Sequence, residues 1–201
     1  EMCAQYGDRL LGFPEIDPNE GVEHGLKEIE DYVLNGPCHG VAVEPGFNRQ
    51  GALRANDERF YFIYEKCQQH QLPLYLNFGG FIGPDHSYCD PKMVADIAQT
   101  FPQLKILVAH AAYPYVLEAC HMAMNHENVY LGTDMYAFRI PGGEQYIQAA
   151  NSLIGDKIVF GSAYPIFDIA SAKEYYLHCG IKEEVLPQVM AGNAARFLGI
   201  E

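Results

Sequence analysis

Short apolar runs with strand character recur along the chain at Leu10 to Phe13, Val41 to Glu44, Leu74 to Phe78, Ile106 to His110, Val129 to Thr133 and Ile158 to Ser162. Between them, apolar residues fall three and four apart, the spacing of one helical face. Val22, Leu26, Ile29 and Val33 keep that spacing, as do Phe60, Ile63 and Cys67. Met93, Val94, Ile97 and Phe101 repeat it, followed by Val116, Leu117, Cys120 and Met124. Later helices are predicted around Tyr146, Ala149, Ala150 and Leu153, over Ala172 to His178, and at Val185, Leu186 and Val189. Strands alternating with helices at intervals of roughly 23 to 33 residues make βα units on a parallel sheet. No linker-like shift in composition divides the chain, so residues 1–201 read as one domain.

Such a sheet is either open and doubly wound or part of a (β/α) barrel. A dinucleotide-binding open sheet carries G-x-G-x-x-G after its first strand, and the chain has no such segment. It also lacks a G-x-x-x-x-G-K-[ST] loop and a G-x-S-x-G elbow; Ser162 in FGSAYP has no second glycine. The position of polar residues favours the barrel. Strands end in, or run into, Glu44, Asn77, His110, Asp134 and Tyr164, and in a barrel the carboxyl ends of the strands form the active-site face. Six strands are visible where a closed barrel of about 250 residues has eight. The predicted fold class is therefore α/β, a (β/α) TIM-type barrel with six of its eight βα units in this chain.

Composition narrows the function. With 49% hydrophobic and 19% charged residues the chain reads as a soluble globular protein rather than a disordered one. A formal net charge of −13 argues against a nucleic-acid partner. No run reaches the ~18–20 apolar residues of a membrane span. The chain starts at Glu1 without a basic-then-apolar leader, which suggests a processed, trimmed or partial product. Six cysteines, none in a C-x-x-C pair, read as reduced thiols in a cytoplasmic protein.

The segments YGDRLLGFPEIDP, HGVAVEPGF, QLPLYLNFGG, FPQLKILVAH, NVYLGTDMY and KIVFGSAYPI resemble, in this order, the third to eighth strand segments of the amidohydrolase-related family of metal-dependent hydrolases and decarboxylases. The closing GNAARFLGI is similar to that family's C-terminal helix. The resemblance implies a divalent metal held by an H-x-H pair on strand one, a histidine on strand five and an aspartate on strand eight, with a strand-six histidine that helps activate water. Only the last has a counterpart, His110. Asn77 and Ala163 stand at the strand-five and strand-eight ligand positions, and the H-x-H pair has no match. Asn is a poor zinc ligand and Ala is none.

Strand alternation supplies a further test. His110 shares parity with Ile106 and Val108, Glu44 with Ala42, and Asp134 with Tyr130 and Gly132, and all three charged residues are expected at the barrel mouth. His110 and Asp134 are the predicted catalytic residues. Glu44 and His110 are the candidate ligands for Zn²⁺ or Mn²⁺, provided that strand one supplies more. Asn77, His86 and Tyr164 are candidate substrate contacts, with Tyr136 and Asp85 behind them. Competing readings stand beside each: a solvated turn carboxylate for Glu44 before Pro45-Gly46, a loop cap for Asp134, a core histidine for His110 and a surface-loop histidine for His86. His24, His39, His70, His121, His126 and His178 carry no assigned role.

The expected function is a hydrolase of the amidohydrolase-related type, or a non-oxidative decarboxylase, acting on a small organic acid, cyclic amide or ester. The alternative is a non-catalytic, truncated or degenerate barrel that binds a ligand or partner. With two strands absent, the sheet edges at Leu10 to Phe13 and Ile158 to Ser162 are expected to promote self-association.

Overall fold

The computed structural model describes residues 2–46, 51–80, 85–138 and 140–200. Five strands form one parallel sheet in chain order: β1 (Val41–Val43), β2 (Leu74–Asn77), β3 (Ile106–Ala109), β4 (Val129–Gly132) and β5 (Ile158–Val159). Helices α1 (Met2–Gln5) and α2 (Val22–Ile29) precede the sheet. Helices α3 (Tyr61–Gln69), α4 (Pro91–Thr100), α5 (Val116–Asn125) and α6 (Glu144–Ala150) separate successive strands, and α7 (Ile169–His178) and α8 (Asn193–Leu198) follow them. Each strand lying beside its predecessor, always parallel, is the wall of a (β/α) barrel; a doubly wound sheet reverses its order at a switch point.

Residue chemistry sets the boundaries. Asp90 caps α4 by accepting a hydrogen bond from the Lys92 N–H at 2.9 Å, with Pro91 in the first helical position. Asp168 caps α7 in the same way through Ser171 N–H at 2.8 Å. The predicted helix at Val185, Leu186 and Val189 is present from Leu186 and runs on into α8. Its middle widens to a π-helical turn over Gln188–Gly192.

The predicted strand at Leu10 to Phe13 also needs correction. Pairing in this region consists of one parallel bridge, Glu15 to Ala42. Pro14 has no N–H to give, yet its carbonyl accepts from Ala42 N–H at 2.8 Å, and Ile16 N–H donates to the Ala42 carbonyl at 2.9 Å. The segment therefore lies beside β1 as a sixth strand would, without a continuous ladder. The other strands are shorter than predicted at their carboxyl ends. Glu44, Phe78, His110 and Thr133 lie beyond them, and β5 stops because Phe160 N–H turns away to the Val189 carbonyl.

Register separates two faces. Val41, Leu74, Ile106 and Val129 form one row, and Val43, Leu76, Val108, Leu131 and Ile158 another. All nine are fully buried, in the same core as Ile29, Ile63, Ile97 and Ala123 of the helices. At about 1.5–3 kcal/mol per fully buried aliphatic side chain, a one-residue slip that exposed this face would be prohibitive. The intervening residues, Tyr75, Leu107 and Tyr130, then Asn77, Ala109 and Gly132, face the barrel interior.

Helix α8 closes the lower end of that interior. Phe197 stacks on Phe13 at 6.3 Å between ring centroids and meets Tyr130 at 5.8 Å. Buried Asn193 donates to the Gly155 and Ile158 carbonyls at 2.8 and 2.6 Å. Lys105 and His39, both just ahead of strands, donate to the Arg196 and Leu198 carbonyls at the end of α8. The carboxyl ends of the strands stay open above this plug.

Candidate active site

Two polar pairs form where the strands end. Asn77, the last residue of β2, donates its side-chain amide to Glu44 Oε1 at 2.7 Å. His110 and Asp134 form the second pair, Nδ1 to Oδ2 at 2.8 Å, with Asp134 only 6% exposed. A carboxylate can only accept, so Nδ1 carries the proton and donates it, which leaves Nε2 as the imidazole's free acceptor.

His110 does not reach this position by strand parity, and here the alternation argument needs correction. Ile106 and Val108 face the helices, so a strand continued through residue 110 would aim the histidine into the outer core. Instead the chain leaves β3 after Ala109, and His110, Ala111 and Ala112 take φ of 59°, 47° and 59°, the left-handed region. That turn swings the imidazole to the inner side. Such backbone costs on the order of 1 kcal/mol or more per non-glycine residue and persists only where neighbours fix it. Tyr146 of α6 donates its hydroxyl to the Ala111 carbonyl at 2.9 Å, and Ala112 N–H reaches the Phe78 carbonyl at 3.2 Å. Gly79 permits the approach: a Cβ there would lie 2.7 Å from the Ala112 Cα.

Asp134 is held by the same kind of device. Its φ is 36°. Tyr176 of α7, fully buried, donates its hydroxyl to the Asp134 carbonyl at 3.2 Å and lies 2.6 Å from Thr133 Oγ1. Both members of the pair thus sit on left-handed backbone, each pinned by a buried tyrosine from a later helix. The Tyr136 ring meets the His110 ring edge-on at 5.2 Å.

The pair borders a cavity of about 280 Å³ whose walls include Tyr75, Ala109, Gly161 and Tyr164. Small residues at the strand ends leave the space; Tyr75 and Tyr164 supply aromatic walls. Larger hollows lie elsewhere, about 670 Å³ between α4 and α5 and about 640 Å³ near His39, His70 and Lys105 at the opposite end. Neither contains the histidine–carboxylate pair. Tyr75 is the wall residue that sequence reasoning missed. Its phenol is pushed up to about 12 by burial first, then by the charges of Asp134 and Glu44, so it stays a neutral donor across the ordinary pH range. Its signal was present as alternation within LYLN, where Tyr75 shares no face with Leu74 or Leu76.

The remaining expected residues distribute as follows. Tyr164 is 68% exposed at the cavity rim, beside Ala163. His86 is exposed on a 3-10 turn (His86–Cys89) capped by Asp85; its ring lies 5.8 Å from Tyr115, and it is not among the described residues that line the cavity. Glu44 and Asn77 satisfy one another. Among the described residues, three metal-donor groups converge only at Glu20, His24 and Glu28 around the start of α2, where they are paired on the outer surface. The strand ends offer Glu44 and His110 Nε2, fewer donors than a metal site requires.

The amidohydrolase family pattern matches residues 1–200. No curated protein matches the chain. Among solved structures, an uncharacterized TIM-barrel protein from Bordetella bronchiseptica is 31% identical with a TM-score of 0.89, over 99% of this chain and 70% of that one. 2,6-Dihydroxybenzoate decarboxylase from Rhizobium is 17% identical with a TM-score of 0.70, over 99% of this chain and 74% of that one. 5-Carboxyvanillate decarboxylase from Novosphingobium aromaticivorans, complexed with manganese and 4-hydroxy-3-methoxy-5-nitrobenzoic acid, is 17% identical with a TM-score of 0.74, over 98% and 66%. At that identity the two decarboxylases establish the shared barrel fold.

Proposed function

The chain belongs to the amidohydrolase family, and from that premise we propose that its strand-end cavity carries out acid–base chemistry on a small organic acid, cyclic amide or ester. The reaction is a hydrolysis or a non-oxidative decarboxylation; the decarboxylases that share the fold lend weight to the second. The observation that carries the reading is the His110–Asp134 pair at the wall of the cavity.

Asp134 holds the imidazole in one tautomer and stabilises its charged form when Nε2 takes a proton. In hydrolysis Nε2 would receive the proton of an attacking water. In decarboxylation the protonated ring would deliver it to the carbon that loses CO₂. Tyr75, kept neutral, offers a hydrogen bond to a substrate oxygen. A divalent ion in such a barrel lowers the pKa of water and polarises a carbonyl. Here Zn²⁺ or Mn²⁺ would need ligands beyond Glu44 and His110 Nε2, so the steps above use only this chain's own groups.

His110→Asn tests the proposal. It keeps size and some hydrogen bonding but removes the titrating group. Turnover, followed as CO₂ release or ring opening across a panel of hydroxybenzoates and lactones, should fall about 100-fold or more with little change in Tm. Unchanged kcat, or simple unfolding, would make His110 structural. A second reading, a barrel that binds without chemistry, is favoured by one observation, the closure of Asn77 on Glu44. It calls for ligand binding that survives His110→Asn with no turnover in either protein.

A further inference from the structure

We propose that Cys3 and Cys38 form a reversible disulfide when the protein meets a small-molecule disulfide of the glutathione class, a modification that pins α1 to the loop entering β1. All six cysteines are free thiols, but they are not equivalent. Cys67 and Cys120 are buried. Cys89 donates to the His86 carbonyl at 2.9 Å and Cys179 to the Tyr176 carbonyl at 3.5 Å. Cys3 and Cys38, both half-buried, lie side by side although 34 residues separate them in the chain.

Gly12 brings the two together. A Cβ on Gly12 would lie 2.5 Å from Cys3 Sγ and 3.1 Å from Cys38 Sγ, so both sulfurs rest on the face of a residue with no side chain. The backbone around Cys38 is fixed on both sides. Its own N–H donates to the Tyr32 carbonyl at 2.9 Å, and the next N–H, that of His39, donates to the Gly12 carbonyl at 2.8 Å. Two sulfurs beside the same point, one of them on anchored backbone, have the proximity from which a disulfide can close. Burial and the neighbouring Cys3 hold the Cys38 thiol above its ordinary value, which suits Cys38 to the second step.

The Cys3 thiolate attacks one sulfur of glutathione disulfide and releases one glutathione thiolate. The Cys38 thiolate then displaces the second glutathione and closes the protein disulfide. Two protein thiols are oxidised, one glutathione disulfide is reduced to two glutathione molecules, and the two thiol protons pass to the departing thiolates. Excess reduced glutathione reverses both steps.

The test incubates the folded 201-residue chain with glutathione disulfide, quenches with acid and counts thiols in denaturant. The expected result is four remaining thiols of six, a mass lower by about 2 Da and a cross-linked Cys3–Cys38 peptide pair. The Tm should rise by about 5–10 °C, the scale for closing a loop of this length in a chain of this size. Cys3→Ser and Cys38→Ser should each abolish the cross-link while leaving the reduced-state Tm within a few degrees of wild type. Six titrating thiols, separate glutathione adducts on Cys3 and Cys38, a cross-link distributed over several pairs, the same pairing rate in urea-unfolded chain, or an unmoved Tm would each overturn the proposal.

Discussion

Removing the Tyr176 hydroxyl tests whether the site is held from behind. Tyr176→Phe keeps the ring, which packs edge-on to Phe160 at 5.1 Å, and deletes one buried oxygen. That oxygen serves two partners, the Asp134 carbonyl at 3.2 Å and Thr133 Oγ1 at 2.6 Å. Thr133 is fully buried, so its hydroxyl has no water to turn to. Each lost bond is worth about 0.5–1.5 kcal/mol, and an orphaned buried group adds to the cost, so the variant should lose about 1–3 kcal/mol. In a domain of this size that lowers Tm by about 2–4 °C per kcal/mol, measurable by calorimetry and urea unfolding. Thr133→Val, nearly isosteric, removes the other end of the pair. The double variant leaves no orphaned hydroxyl, so its loss should fall short of the sum of the single losses by about 0.5 kcal/mol or more. The same variants should broaden the His110 Nδ1 proton resonance, because Asp134 keeps its left-handed backbone with the Tyr176 bond in place. Additive losses together with an unchanged Nδ1 resonance would refute the argument that Tyr176 positions the pair.

Three further outcomes follow from the geometry. Tyr75 in the folded chain titrates near 12 against an ordinary 10.0; its neutral form is favoured by folding, so its contribution is whole below pH 10 and lost as pH rises toward 12. Wild type should therefore lose about 2 kcal/mol more than Tyr75→Phe between pH 9 and pH 12 in urea unfolding, and parallel curves would contradict this. Asn193→Ala abandons the Gly155 and Ile158 carbonyls at the base of the barrel and should cost about 2–4 kcal/mol, read as lowered Tm and faster hydrogen exchange over α8. The chain should self-associate at high concentration through the sides of the sheet at β5 and at the Leu10–Glu15 segment, where Leu10 and Leu11 are 42% and 41% exposed; a monodisperse monomer by light scattering would exclude that.

The βα rhythm was legible because a strand packed under helices must be apolar at alternate positions and the helices must keep one apolar face. Both patterns survive in the sequence, and five of the six expected strands return with their first residues unchanged. The element ends were less legible for a chemical reason. Glu44, Asn77, His110 and Asp134 are polar groups at strand termini, and their side-chain bonding decides whether the ladder continues. Leu10 to Phe13 failed as a strand through Pro14, which periodicity counts as one more position although it cannot donate. A tyrosine inside an apolar run reads as core, although alternation within LYLN already sets Tyr75 apart from Leu74 and Leu76 and the register shows that its face is the inner one.

His110 carries the instructive error. Its place at a strand end and in the family motif points to the barrel mouth, its strand parity to the outer core, and it reaches the mouth through three consecutive left-handed residues. No pattern of apolar spacing encodes that turn, because none of His110, Ala111 and Ala112 is a glycine that would announce positive φ. Its determinants lie 35 residues downstream, in the Tyr146 hydroxyl on the Ala111 carbonyl, and in the glycine at 79 that lets the turn come close. Asp134 repeats the arrangement with Tyr176, 42 residues away. The His110–Asp134 pair is thus specified twice in the chain: locally, by the two side chains that meet, and remotely, by two tyrosines whose hydroxyls stabilise backbone that those residues would not adopt alone. Strain at the His110–Asp134 pair and hydrogen bonds from the helices behind it form one device, which predicts that variants at Tyr146 or Tyr176 disturb the pair before they disturb the barrel.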